Sequence, residues 1–220
     1  MTDAHFHRGG YATFLRANGQ EVSFLGIHPW QTEATADLDA LRTQLRTAPA
    51  AGVGEIGLDR LRTKAIPARQ RELFARQLEM AADLRRPVVL HGAKCWGEVV
   101  AACRPFRGRI PAFLFHGFSR SAGLLPDIFS LNGYVSVGPA LLNDHAVNYR
   151  ALVKALPPER TLIETDMDYA ADGEGAARML RALRDALAAL QGVAPDVLDA
   201  RLSATAGRFL QGLVRNPGTP

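Results

Sequence analysis

The sequence predicts an α/β protein with a TIM-type (β/α) barrel, and three observations support this. Short apolar runs recur along the chain, and each ends at a polar or glycine-rich segment. Most of these runs precede a stretch with helical periodicity, which is typical of βα units on a parallel sheet. A chain of 220 residues is long enough for such a barrel as a single unit. Residues 1–220 are therefore expected to form one barrel domain, with 215–220 as a frayed tail.

Seven segments are predicted to be strands, because each is a short apolar run bounded by polar or glycine residues. They are residues 2–6, 22–27, 52–57, 87–91, 111–116, 134–138 and 161–165. Four further segments have apolar residues at helical spacing. These predicted helices are residues 36–47, 67–84, 174–190 and 195–213. Pro67 opens the second helix, where a first-turn proline is tolerated.

The composition is that of a soluble globular protein, with 47% hydrophobic and 22% charged residues. The net charge of +4 is compatible with an anionic substrate such as nucleic acid, but the chain is rich in arginine throughout, so the charge alone indicates little. Cys95 and Cys103 form no CxxC pair, which argues against a disulfide framework. We find no apolar run of membrane-spanning length and no hydrophobic signal core. We therefore expect a cytoplasmic protein without membrane association.

The first predicted strand carries two histidines, His5 and His7, in the motif DAHFH. Side chains alternate between the two faces of a strand, so both imidazoles project to the same side and can reach one metal ion. Taken alone, the motif fits equally well a pair of hydrogen-bonded histidines near the chain terminus.

Four more predicted strands end in a residue of a metal-ligand type. They are Glu55 in GVGEIGLDR, His91 in RPVVLHG, His116 in AFLFHGF and Asp166 in LIETDMD. In a parallel barrel all the carboxyl ends of the strands open onto one face, so residues placed there converge although they are distant in sequence. The pattern therefore predicts a metal site made of all six residues.

Six such ligands exceed what one tetrahedral zinc ion needs, and imidazole with carboxylate suits Zn²⁺, Mn²⁺, Fe²⁺ or Mg²⁺. We therefore predict two divalent ions. Ions about 3.5 to 4 Å apart can generate hydroxide and stabilise the leaving oxygen of a phosphodiester. Glu55 and Asp166 are the predicted catalytic residues, because Glu55 can bridge the ions and Asp166 can accept the proton of the attacking water.

Three residues are candidates for substrate binding, each with a structural alternative. His28 in FLGIHPW ends a strand and fits either a substrate contact or a structural role. Lys94 follows His91 and Arg120 follows His116, where a cation can meet a phosphate, although loop cations are usually only solvated. The chain has no P-loop, GxSxG or dinucleotide motif, which argues against an NTPase, a serine hydrolase or a Rossmann enzyme.

Several motifs occur in a set order, namely DAHFH, GIHPW, GEIGLDR, ARQRELFARQLEMAADLRRPVVLH, FHGFS and ETD. From about residue 3 to 168 this series resembles the TatD family of metal-dependent deoxyribonucleases, which belongs to the amidohydrolase-like TIM barrels. The ordered series is specific, whereas one motif alone would not be.

The resemblance implies a TIM-type barrel with a two-metal site that hydrolyses DNA phosphodiester bonds, often as an exonuclease. By this resemblance, a first metal would be held by His5, His7 and Asp166 and a second by His91 and His116. Glu55 would bridge the two metals. Asp166 would also handle the proton, and His28 would lie near the substrate phosphate.

The chain departs from the family pattern in four places. Only about twenty residues separate His7 from His28, where the family usually has a whole βα unit, so the barrel is expected to be shortened to seven strands by loss of the second βα unit. The family's His-Ser-Arg sequence is replaced in this chain by His91, Gly92, Ala93 and Lys94, so the usual arginine is missing. The residues that usually follow ETD are replaced by 167–169, and a downstream Asn-Glu-Pro segment is missing.

Two other functions stay open alongside a deoxyribonuclease. A hydrolase of the same barrel class could cleave a C–N or ester bond, as an amidohydrolase or an aminoacyl-tRNA deacylase does, and would have a deep closed pocket. A non-catalytic barrel would bind metal but leave no room for a reactive water. A missing strand would also expose sheet edges, which a homodimer could cover; dimerisation is a hypothesis here.

Overall fold

The fold is taken from a computed structural model that describes residues 1–31, 37–61, 65–119 and 122–214. Within these ranges the chain forms eight strands and seven α-helices, joined in places by short 3-10 helices. The strands are β1 (Asp3–His7), β2 (Thr13–Ala17), β3 (Gln20–Leu25), β4 (Gly52–Asp59), β5 (Val88–Ala93), β6 (Phe113–Phe115), β7 (Gly133–Val137) and β8 (Thr161–Ile163). The helices are α1 (Leu38–Thr47), α2 (Ala68–Asp83), α3 (Trp96–Cys103), α4 (Leu125–Ser130), α5 (Val147–Lys154), α6 (Tyr169–Gln191) and α7 (Pro195–Val214).

The strands form one sheet in sequence order from β1 to β8. From β3 to β8 all neighbours are parallel, whereas β2 runs antiparallel to both β1 and β3. The segment after β8 returns to β1, where His7 N donates to Met167 O at 2.9 Å and Asp166 N donates to His5 O at 3.1 Å. This nearly closed barrel confirms the predicted TIM-type α/β fold.

The predicted number of strands was wrong, because β2 was not recognised. Its sequence, TFLRA, is short and includes an arginine, yet its burial alternates strictly along the strand. The sequence did contain a signal for this strand, because Asn18-Gly19 is a dipeptide typical of a two-residue hairpin turn. In the structure these residues have φ values of 52° and 75° and form that turn. The hairpin fills the place of the second βα unit. Both edges of β2 are paired, so the exposed edges that motivated a homodimer are absent here, and dimerisation stays untested.

The predicted helices match α1, α2, α6 and α7. Helix α6 begins five residues before its predicted start at 174, but Asp172 has non-helical angles that interrupt the helix there. The segment from Cys95 to Cys103, which also reads as helical in the sequence, contains α3. Helices α4 and α5 were not predicted, because with six and eight residues they are too short for a periodic pattern to stand out.

Side chains cover the outer face of the hairpin, where a complete βα unit would place a helix. Phe6 is fully buried there and stacks on Phe14 at 5.7 Å and against Tyr169 at 4.7 Å between ring centroids. The Arg16 guanidinium lies 4.6 Å from the Tyr169 ring and 2.6 Å from Glu21 Oε1. A cation over aromatic rings, fixed by an ion pair, thus shields the strand from water.

Helix α7 closes the N-terminal end of the barrel. Its residue Phe209 is fully buried and packs on Phe24 of β3 at 6.0 Å and on Tyr134 of β7 at 5.6 Å. Phe24 pairs with Gly52, the first residue of β4, which places this contact at the strand starts. The opposite, C-terminal end of the strands is the one that opens to solvent.

The two cysteines are free and buried, in agreement with the absence of a disulfide framework. Burial raises the pKa of the Cys95 thiol to about 11, which makes it a poor nucleophile. Among the helices in the described ranges, none combines the length and the apolar character that a membrane crossing requires.

The hairpin turn can be tested with two glycine substitutions. Gly19→Ala should destabilise the protein by about 1–2 kcal/mol, because an alanine at positive φ brings its Cβ against the backbone. Gly207→Ala in α7 is the control: a Cβ there would meet no neighbour within 4 Å, and alanine is favoured over glycine in a helix by about 1 kcal/mol. Urea unfolding should therefore give changes of opposite sign, and equal effects would contradict the hairpin.

Candidate metal centre

The structure brings all six predicted ligands together at the C-terminal end of the barrel. They are His5 and His7 on β1, Glu55 on β4, His91 on β5, His116 just after β6, and Asp166 just after β8. The convergence follows from the topology, because parallel strands present their carboxyl ends on one face.

Glu55 lies at the centre of the cluster and is only 4% exposed. Its Oε1 is 2.6 Å from His91 Nδ1 and 2.6 Å from His116 Nε2, while its Oε2 is 3.4 Å from His5 Nε2. Burial alone would raise the pKa of Glu55, but the charges of His116 and His5 hold that pKa well below its usual range. The two oxygens of an ionised carboxylate therefore face two different sets of histidines.

Asp166 lies on the β1 side of the cluster, and half of its side chain is exposed to solvent. Its Oδ1 is 3.4 Å from His5 Nε2 and 3.3 Å from His7 Nε2. Its φ of 53° is left-handed, a conformation that aspartate tolerates better than most residues. Burial opposes ionisation of this group, but hydrogen bonds from His5 and His7 hold the pKa of Asp166 below its ordinary value.

Among the residues that the structure describes, three groups of side chains have ligand atoms within 4.8 Å of one another, close enough to hold a metal ion. The groups are His5, His7 and Glu55; His5, His116 and Asp166; and His28, Glu55 and His91. The first and third groups share only Glu55, so this carboxylate lies between His5 and His7 on one side and His91 on the other.

The donor atoms fit a metal. His5 is fully buried, yet within the described part of the chain its Nδ1 has no hydrogen-bond partner, and its Nε2 reaches the Glu55 and Asp166 carboxylates only at 3.4 Å. The Nδ1 atom of His7 also lacks a partner there, and that of His116 lies 3.5 Å from Glu164 Oε1. Buried polar atoms are costly when they are unpaired, and a cation bound by imidazole lone pairs would offset that cost. Mixed imidazole and carboxylate donors suit Zn²⁺, Fe²⁺ or Mn²⁺.

Asp59 orients His91 from outside the cluster. Asp59 Oδ2 is 2.8 Å from His91 Nε2 and also accepts a hydrogen bond from Trp30 Nε1 at 2.9 Å, while Oδ1 accepts from Leu61 N at 2.6 Å. A proton on His91 Nε2 leaves Nδ1, which faces Glu55, as the nitrogen that can bind a metal. Carboxylates commonly hold metal-binding histidines in this way.

Glu164 lies beside His116 in the way that Asp59 lies beside His91. It is 1% exposed, its Oε1 is 3.5 Å from His116 Nδ1, and its Oε2 accepts from Ser136 Oγ at 2.5 Å. Asp3 is further from the cluster and accepts hydrogen bonds from Thr165 N at 3.0 Å and Thr165 Oγ1 at 2.8 Å. It therefore holds the backbone segment that carries Asp166.

His28 approaches the cluster as a hydrogen-bond donor. Its Nδ1 accepts from Trp30 N at 3.1 Å, and its Nε2 lies 3.6 Å from Glu55 Oε1. Burial lowers the pKa of His28, so the ring is neutral and carries its proton on Nε2. A protonated nitrogen has no lone pair for a metal, which favours the predicted substrate contact over a ligand role.

An open cavity of ≈ 420 Å³ adjoins the cluster and is lined by His91, His116 and Asp166 together with Leu61 and Lys94. Lys94 is exposed on its rim, where sequence analysis placed a phosphate contact. Arg120, the other predicted cation, lies outside the described residues. The cavity gives a substrate direct access to the candidate ligands.

Proteins with similar sequences identify the family of this chain. A family model described as TatD related DNase matches residues 10–211. The chain belongs to this family. A 3'-5' ssDNA/RNA exonuclease TatD from Edwardsiella piscicida is 34% identical over 150 residues, covering 66% of this chain and 56% of the relative. One with the same name from Musicola paradisiaca is 31% identical over 156 residues, covering 70% and 59%. The chain thus spans little more than half the length of these relatives.

Solved structures of the TatD family share the fold. A TatD homologue from Escherichia coli K12 gives a TM-score of 0.68 at 24% identity, covering 86% of this chain and 76% of the other. A TatD family hydrolase from Entamoeba histolytica gives 0.72 at 15% identity, covering 86% and 74%. At these identities the likeness establishes the barrel alone.

Two residues at the site were missed by sequence reasoning. Trp30 follows His28 in GIHPW, so its place in a motif was a usable signal. Tyr11 stacks on the His28 ring at 5.0 Å, but it lies in an irregular loop, where no periodicity indicates which way a side chain points.

The role of Asp59 can be tested by Asp59→Asn. We expect Zn²⁺ or Mn²⁺ affinity, measured by isothermal titration calorimetry, to fall by roughly 10–100-fold, because a neutral amide leaves the His91 imidazole less basic. Asp199→Asn is the control, since Asp199 pairs with Arg184 at 3.3 Å on the outer helices. Unchanged affinity in Asp59→Asn would show that Asp59 does not act through His91.

Proposed function

We propose that this TatD family member is a divalent-metal-dependent hydrolase that cleaves phosphodiester bonds of single-stranded nucleic acid, with DNA as its main substrate. The observation that supports this is the placement of Glu55, whose two oxygens face separate histidine groups. We also propose that residues 1–220 act as one catalytic barrel.

The proposed site holds two divalent ions. One would be bound by His5, His7 and Asp166, the other by His91 and His116, with Glu55 shared between them. Such ions lower the pKa of water and stabilise negative charge on a phosphodiester. Four imidazoles favour Zn²⁺, Mn²⁺ or Fe²⁺, whereas Mg²⁺ prefers all-oxygen ligands.

The protein's own side chains would position the phosphodiester and accept a proton from the attacking water. Asp166 is half exposed beside the cavity, and its pKa is lowered, so its carboxylate is ionised at neutral pH. The lowered pKa also makes it a weak base, so it would accept the proton of an attacking water only because the bound ions would lower the pKa of that water. The His28 Nε2–H can donate to a non-bridging phosphate oxygen, and Lys94 on the rim can attract a neighbouring phosphate. Together these groups would hold a phosphodiester with its cleavable bond over Glu55.

The substrate class rests on two supports. The similar relatives carry the name 3'-5' ssDNA/RNA exonuclease, and the open cavity suits a polymer better than the deep closed pocket expected of a small-molecule amidohydrolase. The room in the cavity also weighs against a non-catalytic barrel. A cytoplasmic location stays a prediction.

The test is cleavage of single- and double-stranded DNA in Mg²⁺, Mn²⁺ or Zn²⁺ against EDTA. We expect metal-dependent cleavage of single strands that falls by more than about 100-fold in His91→Ala and in Asp166→Ala, since losing a ligand should cost more than losing its outer partner. Asp127→Ala is a matched control, because its side chain is 47% exposed against 48% for Asp166. Bound metal without cleavage would favour a hydrolase of C–N or aminoacyl ester bonds instead.

A further inference from the structure

Two aromatic side chains stand exposed beside the candidate metal centre. Large apolar residues are rarely exposed in the described part of the chain, and among those that are, the aromatic ones are Tyr11, 43% exposed, and Trp30, 38% exposed. The two belong to different loops and lie 19 positions apart in sequence, yet both pack against His28. Two exposed aromatic side chains beside the same histidine indicate a binding surface.

The rings are fixed by their contacts with the site. Tyr11 stacks nearly parallel to His28, with 5.0 Å between ring centroids and 21° between planes. Trp30 meets His28 edge-on at 4.9 Å and lies 6.2 Å from the His91 ring. Its indole N–H donates to Asp59. The two aromatic rings therefore flank the histidine that would contact the phosphate.

The cavity next to the cluster has both an apolar and a cationic side chain in its lining, namely Leu61, 54% exposed, and Lys94. Leu61 N donates to Asp59, which also accepts from the Trp30 indole, so Leu61 lies on the Trp30 side of the cavity. A phosphate bound at His28 would leave a planar apolar group attached to it in reach of the aromatic rings. Nucleotides have this composition, with a charged phosphate and a planar base.

We propose that Tyr11 and Trp30 form a stacking site for a nucleobase next to the cleaved phosphate. The inference rests on the proposed function and adds the part of the substrate that these residues recognise. Aromatic side chains stack on any base, so binding should tolerate sequence. Bases of a duplex are already paired and stacked, so this site should favour single strands.

The main test is Tyr11→Leu, which removes the aromatic face but keeps an apolar side chain, with Tyr11→Phe as the conservative variant. We expect Tyr11→Leu to raise KM for a single-stranded oligonucleotide between about fivefold and about 150-fold, the range that the loss of one stacked base implies, with little change in kcat. Tyr11→Phe should keep the wild-type KM. Val197→Ala, at a residue 42% exposed on α7, should have no effect.

A substrate with an abasic nucleotide separates stacking from general loop damage. Wild type should bind it as weakly as Tyr11→Leu binds the normal oligonucleotide, and Tyr11→Leu should no longer distinguish the two. Should Tyr11→Leu lose affinity equally for normal and abasic substrates, the tyrosine would be supporting the loop and the stacking site would be wrong.

Trp30 provides a readout that needs neither metal nor cleavage. The chain has two tryptophans, and Trp96 is buried against Phe115 and Phe118, so Trp96→Phe leaves Trp30 as the reporter. In EDTA, oligothymidylate should quench its fluorescence saturably, and an abasic strand of equal length should not. Equal quenching by both strands, or none, would overturn the stacking site.

These measurements also separate the two proposals. Metal-dependent cleavage of DNA with a normal KM in Tyr11→Leu would leave the proposed function intact and refute the stacking site. Absence of cleavage in wild type would refute the proposed function, and the quenching experiment in EDTA would then decide the stacking site by itself.

Discussion

The buried charge of Glu55 is the constraint on which the rest of the site depends. Four imidazoles have a ring nitrogen within 3.6 Å of this carboxylate, and two of them, His91 and His116, approach each other to 3.4 Å. Both burial and mutual repulsion disfavour the protonated forms of these rings. For His5 these two effects lower the pKa, yet the charges and hydrogen bonds of Glu55 and Asp166 outweigh them and raise it to about 9. The pKa of His116 is raised well above its ordinary value despite full burial, through Glu55 and Glu164. In the metal-free protein, protons on these rings take the place that cations would fill, so metal binding should release protons.

The barrel supplies this arrangement with less chain than a full set of βα units needs. A two-residue turn at Asn18 and Gly19 replaces a helix and its connections, and β2 closes the sheet between β1 and β3. The outer layer of Phe6, Arg16 and Tyr169 then replaces the buried helix face. Because the substitution occurs between β1 and β3, it leaves His5 and His7 in place, and it brings the loop with Tyr11 onto His28 at the mouth of the site.

The sequence was informative where one local rule determines the position of a residue. Alternation along β1 placed both histidines on one side, and the common direction of the parallel strands was enough to bring Glu55, His91 and Asp166 together. Contacts between side chains of different strands could not be predicted from the sequence. The bond from Asp59 to His91 depends on a register in which His91 lies beside Gly57, after an irregularity in β4. Strand β2 was missed because an antiparallel hairpin breaks the βα rhythm used to find the other strands.

Several departures from the family's sequence pattern have a structural cause in this chain. At Gly92, which stands in place of a serine in the family's motif, the Trp96 ring of α3 packs so closely that a Cβ atom would clash with it, so a side chain at this position would displace the Trp96 ring. After ETD, Asp168 caps α6 through Ala170 N at 2.9 Å and accepts from Gly9 N at 3.0 Å, while Tyr169 donates to Asp3 at 3.0 Å. These contacts tie the end of β8 to β1 and to the start of the hairpin. The residues that stand in place of the family's motif thus hold the shortened side of the barrel in register with Asp166, so the candidate ligand after β8 keeps its place beside His5 and His7 on β1.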